Sequence, residues 1–183
     1  MPRERILGAA AKLFRERGYQ GTTVRDIAEL VGILSGSLFY HFRSKEEMLA
    51  EIMREAARSM CERAEATVAG PGAPRDHLRA LVGLELECLI GEATKDYYAV
   101  LVFEWRVVPE EAKSELAEWR RRYRGLWRNV LAACAEEGLL RCAPEAAHQV
   151  LHSSTTGTMT WFKPSGRYSV DEYADILTQL VLN

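Results

Sequence analysis

Apolar residues recur at helical spacing along most of the chain, and short polar or glycine-containing turns separate the repeats. The first repeat covers residues 3–17, and its apolar face consists of Ile6, Ala10, Leu13 and Phe14. Gly18 follows directly and suits a left-handed helix end. No segment alternates apolar and polar residues with the period of a β-strand. The pattern therefore predicts an all-α protein.

Two shorter repeats lie on either side of Gly32. Their apolar residues are Val24, Ile27, Ala28 and Val31 before the glycine, and Leu38 and Phe42 after it. Thr23 and Asp26 have nearly the spacing and chemistry of a helix capping box. Two short helices joined by a tight turn are typical of a helix-turn-helix, whose second helix enters the major groove of DNA.

The remaining repeats are longer. The helical pattern runs from Lys45 to about Val68, and after the turn at 69–74 it continues at about 75–92, 94–107, 110–137, 143–162 and 170–182. Capping boxes of the S-x-x-E type are expected at Ser44 with Glu47 and at Ser169 with Glu172. Helix starts are expected at Pro74, Pro109 and Pro144, and a helix end at Gly138. We therefore expect about nine helices.

Charge divides the chain into two parts. Residues 1–45 carry 8 Lys/Arg against 4 Asp/Glu, a net charge of +4, whereas residues 46–183 carry 16 against 22, a net charge of −6. A local basic face is sufficient for contact with nucleic-acid phosphate, even though the whole chain has a net charge of −2. We predict a helix-turn-helix DNA-binding domain at 1–44. The helical domain at 45–183 is predicted to be a ligand-binding and dimerisation domain from its aromatic residues and its small-residue helix, which are described below.

Cysteine spacing and hydropathy argue against several classes of protein. The cysteines at 61, 88, 134 and 142 lack the spacing of a zinc site or a disulfide framework, so we interpret them as small core residues. No segment has the pattern of a signal peptide or the length of a membrane-spanning helix. These features favour the cytoplasm and predict no membrane association. No residue pattern indicates a cofactor.

The segment TTVRDIAELVGILSGSLFYHFRSKEEML, residues 22–49, resembles the DNA-binding head of the tetracycline-repressor family of bacterial transcription regulators. The resemblance is specific because many positions match together: Thr23, Asp26-Ile27-Ala28, Gly32, Gly36, Leu38, Tyr40-His41-Phe42 and Ser44-Lys45-Glu46. The chain departs from the family pattern after the turn, where Leu34 precedes Ser35. Ser35 then offers a helix cap that is shifted by one residue.

The resemblance implies which residues of the head contact DNA. The matching positions are Thr23, Ser35, Ser37, Tyr40, His41 and Lys45, with Arg25 as a further candidate and Gly36 as a position where backbone approaches DNA closely. Thr23 and Lys45 lie at helix N-termini and are expected to contact phosphate. Ser37 and Tyr40 are better placed for base edges. In the alternative interpretation, Tyr40 and His41 pack the head and Thr23 only caps a helix.

Residues after 45 are rich in aromatic side chains, which are typical of the walls of an apolar ligand pocket. The candidate ligand-binding residues are Tyr98, Phe103, Trp105, Trp119, Tyr123, Trp127 and Trp161. Arg120 and Arg124 share a helical stripe that suits phosphate or carboxylate at a pocket entrance. The alternatives are an ordinary aromatic core and a solvated basic face.

Glu145, His148 and His152 lie near one face of a helix and constitute a partial metal site. Two surface or interface histidines are the better interpretation, because the chain contains no second Glu-x-x-His. The small residues at 153–160 allow close helix approach, so 143–162 and 170–182 are expected to pair with their copies in a homodimer. The alternative is an ordinary contact within one chain.

The family resemblance also implies that helices 8 and 9 form the homodimer interface and that a ligand cavity lies among helices 4–8. We therefore expect a repressor that binds palindromic operator DNA and is released by a small-molecule inducer. The GILSGSL and TMTWF segments are similar to repressors of fatty-acid and sterol catabolism, which implies an acyl-CoA thioester as inducer. A drug-like or aromatic inducer is the alternative. A helical enzyme or adaptor is the alternative protein class, although no residues have the order of a catalytic site.

Overall fold

A computed structural model describes residues 2–163 and 165–183, and within these ranges the chain forms nine α-helices and no β-strand. The helices are α1 (Pro2–Arg17), α2 (Val24–Val31), α3 (Ser35–Leu38), α4 (Lys45–Val68), α5 (Pro74–Ile90), α6 (Lys95–Phe103), α7 (Glu110–Glu136), α8 (Pro144–Trp161) and α9 (Val170–Val181). The predicted all-α fold with an N-terminal helix-turn-helix is confirmed.

Local capping chemistry sets several helix ends where the sequence predicts them. The Thr23 hydroxyl accepts a hydrogen bond from the N–H of Asp26, and the Asp26 carboxylate accepts one from the N–H of Thr23. Ser169 and Glu172 form the same reciprocal box at the start of α9. Gly32 ends α2 with a φ of 79°, a left-handed conformation that a residue with a Cβ adopts only with strain.

Two predicted caps differ from the structure. Leu34, with extended backbone and no side-chain hydrogen bond, is the N-cap of α3, and Ser35 is already the first helical residue, so the prediction that Ser35 caps this helix is wrong. At the start of α4, Ser44 accepts a hydrogen bond from the N–H of Glu47 as expected. The Glu47 carboxylate accepts from the N–H of Arg43, one residue before the predicted partner.

The helix predicted over 94–107 is interrupted. α6 ends at Phe103, and a short 3₁₀ helix follows at Trp105–Val107. Glu104 between them has φ −100° and ψ 14°, outside the helical region, and its carboxylate accepts a hydrogen bond from the N–H of Tyr19 at 2.9 Å. Because that partner lies 85 residues earlier in the chain, helical periodicity could not reveal the break.

The contacts between residues divide the chain into two compact units. The first comprises the residues up to Arg58 together with Lys95–Glu118. In this unit α1 packs against α2 and α6, and α2 packs against α3. Its core contains side chains from the first four helices and from the segment between α3 and α4, all at most 1% exposed: Ile6, Phe14, Ile27, Leu38, Phe42, Met48 and Ile52. The helix-turn-helix is therefore packed onto the rest of the first unit through this core.

The second unit comprises Ser59–Thr94 and Trp119–Asn183. Here α5 packs against α8 and α9, and α8 packs against α9. An isolated antiparallel bridge joins Leu140 to Leu182. The unit boundaries fall inside α4 and inside α7, so each of these helices contributes to both units. The functional boundary predicted after residue 44 stays a prediction.

The cysteines only partly match the interpretation as core residues. Cys61, Cys88 and Cys134 are buried, and burial raises the pKa of the Cys61 thiol to about 11. Cys142 is exposed, so the prediction is wrong for this residue, which lies between α7 and α8. The four cysteines, all within the described residues, form no disulfide. None of the described helices is both long and apolar enough to cross a membrane.

Candidate functional site

Residues 34–42, which include α3, have one side buried in the core and one side exposed to solvent. We call the exposed side, with Leu34, Phe39 and Tyr40, the exposed α3 surface. Leu38 and Phe42 are buried at 0% and 1% exposure and fix this segment to the core. On the other side, Tyr40 is 90% exposed, Leu34 80% and Phe39 53%. Large side chains that face water without a covering element indicate a surface that binds a partner.

The predicted DNA-binding residues lie on this unit with accessible side chains. Thr23, Arg25, Gly36, Tyr40 and His41 are exposed. The half-buried residues are Ser35, Ser37 and Lys45. A Cβ atom added at Gly36 would meet no other atom within 4 Å, so packing within the chain does not require glycine there. The absence of a side chain at Gly36 instead leaves its backbone open to a partner.

Thr23 has a structural role in addition to the predicted one. Its hydroxyl and its N–H both contact Asp26, and these hydrogen bonds hold the pKa of the Asp26 carboxyl below its usual value. The capping role proposed as the alternative interpretation is therefore present. The phosphate contact of Thr23 stays a prediction.

Lys45 ties the start of α4 to the segment before the helix-turn-helix. Its ammonium group donates hydrogen bonds to the carbonyl oxygens of Tyr19, at 2.9 Å, and Thr22, at 2.8 Å, and lies 4.1 Å from the centre of the Tyr19 ring. The Tyr19 hydroxyl donates to Glu46 at 2.8 Å. Since the ammonium group already has these partners, a phosphate contact at this position would use the helix N-terminus as well as the side chain.

The predicted ligand-binding residues do not all belong to one compact unit. Tyr98, Phe103 and Trp105 lie in the first unit, with Tyr98 buried and Phe103 58% exposed. The second unit contains the other six, Trp119, Arg120, Tyr123, Arg124, Trp127 and Trp161. Trp127 is 1% exposed and Trp161 is 51% exposed. No ligand role is established for any of them, and the set stays a prediction.

Within the second unit, a chain of side chains connects α7, α8 and α5. The Trp127 ring packs edge-on against His148 at 5.6 Å between ring centres, and His148 stacks on His152 at 5.8 Å with an interplanar angle of 6°. His152 Nδ1 lies 2.9 Å from Glu85 Oε1. We call Glu85, Trp127, His148 and His152 the α5–α7–α8 cluster.

Glu85 is the member of this cluster that the sequence interpretation missed. Glu85 is 2% exposed. All other residues of α5 from Leu81 to Leu89 are buried, with the exception of Glu87. An ionised carboxylate in such surroundings is costly unless it is paired. The signal in the sequence is a lone acidic residue on the apolar face of α5, one turn from Leu81 and from Leu89.

Glu145, His148 and His152 do not come together as a metal site in the structure. Among the described residues, no group of three His, Cys, Asp or Glu side chains has the geometry to hold a metal ion. His148 and His152 stack on each other, and Glu145 is exposed at the start of α8. A ring stack engages the faces of the imidazoles instead of directing two nitrogen atoms to one point.

Arg120 and Arg124 give the region near the cluster a positive potential. Both residues are exposed overall. Partial burial of the Arg120 guanidinium, followed by the charge of Arg124, lowers the pKa of Arg120. Both arginines also oppose protonation of His152. Arg122 pairs with Glu65 at 2.6 Å and lies over the Trp119 ring. Within the basic run on α7, Arg122 therefore contacts α4, and Arg120 and Arg124 lie close enough to His152 to affect its pKa.

The pKa values of the two stacked histidines are expected to lie on opposite sides of the ordinary histidine pKa of about 6.5. The hydrogen bond to Glu85 raises the pKa of His152, and burial followed by the charge of His152 lowers the pKa of His148. The stabilising contribution of His152 is therefore complete at low pH and is lost as pH rises through its raised pKa. That of His148 is present at high pH and is lost as pH falls through its lowered pKa.

Nuclear magnetic resonance titration of the imidazole signals measures both values, with assignment by His148→Gln and His152→Gln. In Glu85→Gln, the pKa of His152 should fall toward the ordinary value because the carboxylate is gone. A His152 that titrates below His148 in the unmodified chain would contradict the expectation.

Helices α8 and α9 expose apolar side chains on their outer surfaces. Val150 is 44% exposed, Trp161 51% and Leu180 57%. Other members of the small-residue run face inward, since Thr155 and Thr158 are fully buried and α8 packs against α5 and α9 of the same chain. The contact within one chain that was the alternative interpretation therefore uses part of this run. The homodimer through 143–162 and 170–182 stays a prediction.

Comparison with known protein families matches both parts of the chain. Residues 6–52 match the family described as "Bacterial regulatory proteins, tetR family". Residues 71–183 match the family described as "Tetracyclin repressor-like, C-terminal domain". The first match includes the exposed α3 surface, and the second includes the α5–α7–α8 cluster.

Individual relatives agree with these matches over nearly the whole chain. The HTH-type transcriptional repressor KstR2 of Rhodococcus jostii strain RHA1 is 36% identical over 186 residues, which cover 99% of this chain and 89% of that protein. The structure of the ketosteroid transcriptional regulator KstR2 of Mycobacterium tuberculosis has a TM-score of 0.88 and 28% identity, over 100% of this chain and 96% of that one. AibR in complex with isovaleryl coenzyme A and operator DNA has a TM-score of 0.87 and 23% identity, over 98% and 97%. The last likeness is one of fold alone.

Proposed function

The chain belongs to the tetR family of bacterial regulatory proteins, and from this premise we propose that it is a repressor that binds a palindromic operator as a homodimer and is released by an acyl-CoA thioester. The members of this family are transcription regulators and not enzymes. The observation that carries the proposal is the exposed α3 surface, with Tyr40 at 90% exposure above a buried Phe42.

DNA binding is supported by the chemistry of the head. Ser35, Ser37, Tyr40 and His41 present hydroxyl and imidazole groups, which bind base edges and phosphate oxygens. The net charge of +4 over residues 1–45 supplies long-range attraction to DNA. Gly36 allows the backbone of α3 to approach the groove.

A dimer is proposed because one head is too small to bind tightly and specifically. A single small DNA-binding module buries roughly 600–1,000 Å². Two heads about 34 Å apart reach successive major grooves on one face of DNA. The exposed Val150, Trp161 and Leu180 of α8 and α9 supply apolar surface for the contact between two copies.

The proposed inducer is an anionic ligand with an apolar part. Arg120 and Arg124 attract phosphate or carboxylate, and Trp127 with Tyr123 supplies aromatic surface on the same helix, in edge-on contact at 6.4 Å. The coenzyme A group carries several phosphates, so an acyl-CoA matches both features. The relative from Rhodococcus jostii is named as a transcriptional repressor, and the M. tuberculosis structure is described as a ketosteroid regulator.

Coupling between ligand and DNA is proposed to pass along α4. This helix begins at Lys45, beside the helix-turn-helix, and continues to Val68 in the second compact unit. A ligand lowers operator affinity 100-fold if it prefers the state that does not bind DNA by about 2.7 kcal/mol. That free-energy difference equals the net contribution of about two to three hydrogen bonds.

We place this activity in the cytoplasm, where a bacterial regulator meets DNA.

Binding to the promoter of its own operon is expected to be sequence-specific and sensitive to salt, because phosphate contacts release counterions. Electrophoretic shift at two salt concentrations measures both properties, with scrambled DNA of equal length as control. Addition of acyl-CoA thioesters of increasing chain length should then release the DNA, while free coenzyme A should not. An adaptor or enzyme would give no specific complex.

Release by a drug-like aromatic compound and by no acyl-CoA would overturn the ligand class while leaving the repressor intact. Calorimetry on the same thioesters separates a ligand that does not bind from one that binds without effect on DNA.

Variants of α7 test whether Arg120 and Arg124 contact the anion. The double variant Arg120→Gln/Arg124→Gln is compared with the single variant Arg121→Gln as control. Only the double variant should weaken acyl-CoA binding.

A further inference from the structure

The buried atoms of the second unit point to more than a generic apolar pocket. We propose that Glu85, Trp127 and Thr156 form a site for a hydroxyl group on the apolar part of the inducer. The ligand class is therefore a hydroxylated compound, and not a plain hydrocarbon chain. This inference rests on the proposed function in one respect only, namely that the second unit binds the inducer.

Glu85 supplies a hydrogen-bond acceptor that the described residues leave unused. Its Oε1 atom is 2.9 Å from His152 Nδ1, whereas its Oε2 atom is buried and has no hydrogen-bond partner among residues 2–163 and 165–183. A buried carboxylate oxygen without a partner is costly, since it has lost water and gained nothing. In native proteins such a group is usually explained by a water, an ion or a function.

Trp127 and Thr156 supply the complementary groups from two other helices. The indole N–H of Trp127 on α7 and the hydroxyl of Thr156 on α8 are both buried, and neither has a partner within the described part of the chain. Thr156 lies one helical turn after His152 on α8, so it shares the helix face of the α5–α7–α8 cluster. One acceptor, one donor and one group that does both are therefore contributed by α5, α7 and α8, the three helices that the Trp127–His148, His148–His152 and His152–Glu85 contacts connect.

The surrounding charges select a neutral group. Arg120 and Arg124 already oppose the protonation of His152, so a cationic ligand group would add to the positive potential. A carboxylate or phosphate beside Glu85 would meet a like charge in a region of low dielectric constant. A hydroxyl group has no net charge, donates to Glu85 Oε2, and accepts from Trp127 or Thr156.

A hydroxyl group also has an advantage over solvent at this position. A buried water satisfies the same atoms only where it reaches two to four polar partners. A ligand hydroxyl reproduces those hydrogen bonds, and the apolar body attached to it adds hydrophobic contact within the second unit, where Leu81, Leu89 and Leu151 are buried. The arrangement therefore discriminates between an alcohol and a hydrocarbon of the same shape.

Two small probes of nearly equal size test the inference without any coenzyme A. Cyclohexanol and methylcyclohexane are titrated into the ¹⁵N-labelled full chain, and the indole N–H signal of Trp127 is followed after assignment by Trp127→Phe. Cyclohexanol should bind saturably, shift the Trp127 signal and bind at least about tenfold more tightly than methylcyclohexane, as expected for a hydrogen bond to a charged group. Equal binding, or no change at Trp127, would overturn the inference.

Variants on α5 and α8 assign the effect to the site. Glu85→Gln places an amide N–H where the carboxylate accepted, so the preference for cyclohexanol should fall about tenfold. Glu87→Gln on the same helix is the matched control, since the Glu87 side chain is 62% exposed and pairs with Arg63. Thr156→Val removes one hydroxyl at nearly constant volume and should also reduce the preference for cyclohexanol. This variant provides the test if Glu85→Gln fails to fold.

The outcomes separate this inference from the proposed function. If acyl-CoA thioesters fail to release the operator but cyclohexanol binds as described, the inducer class is wrong and the hydroxyl site is retained. If acyl-CoA thioesters release the operator but both probes bind equally, the hydroxyl site is wrong and the repressor proposal is retained. A preference that persists unchanged in both Glu85→Gln and Thr156→Val also overturns the site.

Discussion

Replacement of Tyr40 with alanine should weaken operator binding by at least about 30-fold, because the loss is repeated in both heads of the proposed dimer. A specific contact to a base is worth about 1–3 kcal/mol, so two lost contacts correspond to roughly 2–6 kcal/mol. Folding should be unaffected, since the Tyr40 side chain is 90% exposed and packs against little of the protein. Fluorescence anisotropy with labelled operator DNA measures the change.

Two further variants sharpen this test. Tyr40→Phe retains the ring and removes only the hydroxyl, so it separates a hydrogen bond from packing against the DNA backbone. Glu136→Ala, at the exposed end of α7, is the control for a change remote from the head. If Tyr40→Ala binds the operator as tightly as the unmodified protein, with the same dependence on salt, then Tyr40 does not contact DNA.

Replacement of Phe42 with alanine should lower the free energy of unfolding by about 3–5 kcal/mol, the usual cost of removing a buried phenylalanine ring. Phe42 is 1% exposed, and the guanidinium of Arg3 lies 4.7 Å from the centre of its ring. The ring connects the segment after α3 with the core of the first unit. Its loss should therefore abolish operator binding through disorder of the head and not through a missing DNA contact.

Urea denaturation followed by circular dichroism measures this loss, with His41→Ala as the neighbouring exposed control. The control should keep its unfolding midpoint and lose only DNA affinity. A Phe42→Ala variant with an unchanged midpoint would show that Phe42 does not anchor the head. The two variants together distinguish a residue that touches DNA from one that holds the surface in place.

Local features of the sequence predicted most of the helix boundaries. The capping boxes of Thr23 with Asp26 and of Ser169 with Glu172 each join residues three positions apart. Gly32 adopts a left-handed backbone conformation because it has no side chain. Such signals are contained in a few adjacent residues and need no tertiary structure. The succession of helices followed from the same kind of information, because each helix buries one face with a period of 3.6 residues.

Long-range contacts were inaccessible to the same reasoning. The break at Glu104 depends on Tyr19, and the two hydrogen bonds of the Lys45 ammonium depend on carbonyl groups more than twenty residues away. Glu85 gave a signal, an acidic residue on an apolar helix face, but its partner His152 lies 67 residues later. Periodicity shows that such a residue faces inward, and only the packed helices show what it meets there.

The contacts of Tyr19 and Arg15 have a consequence for the construction of chimeric regulators from different members of this family. Arg15 pairs with Asp96, and the N–H of Tyr19 donates to Glu104. An exchange of residues 1–44 alone would leave both acidic residues facing a foreign head. An exchange that also includes residues 45–58 and 95–118 carries the partners together, because these segments form one compact unit. The transferable module for DNA specificity is thus discontinuous in the chain.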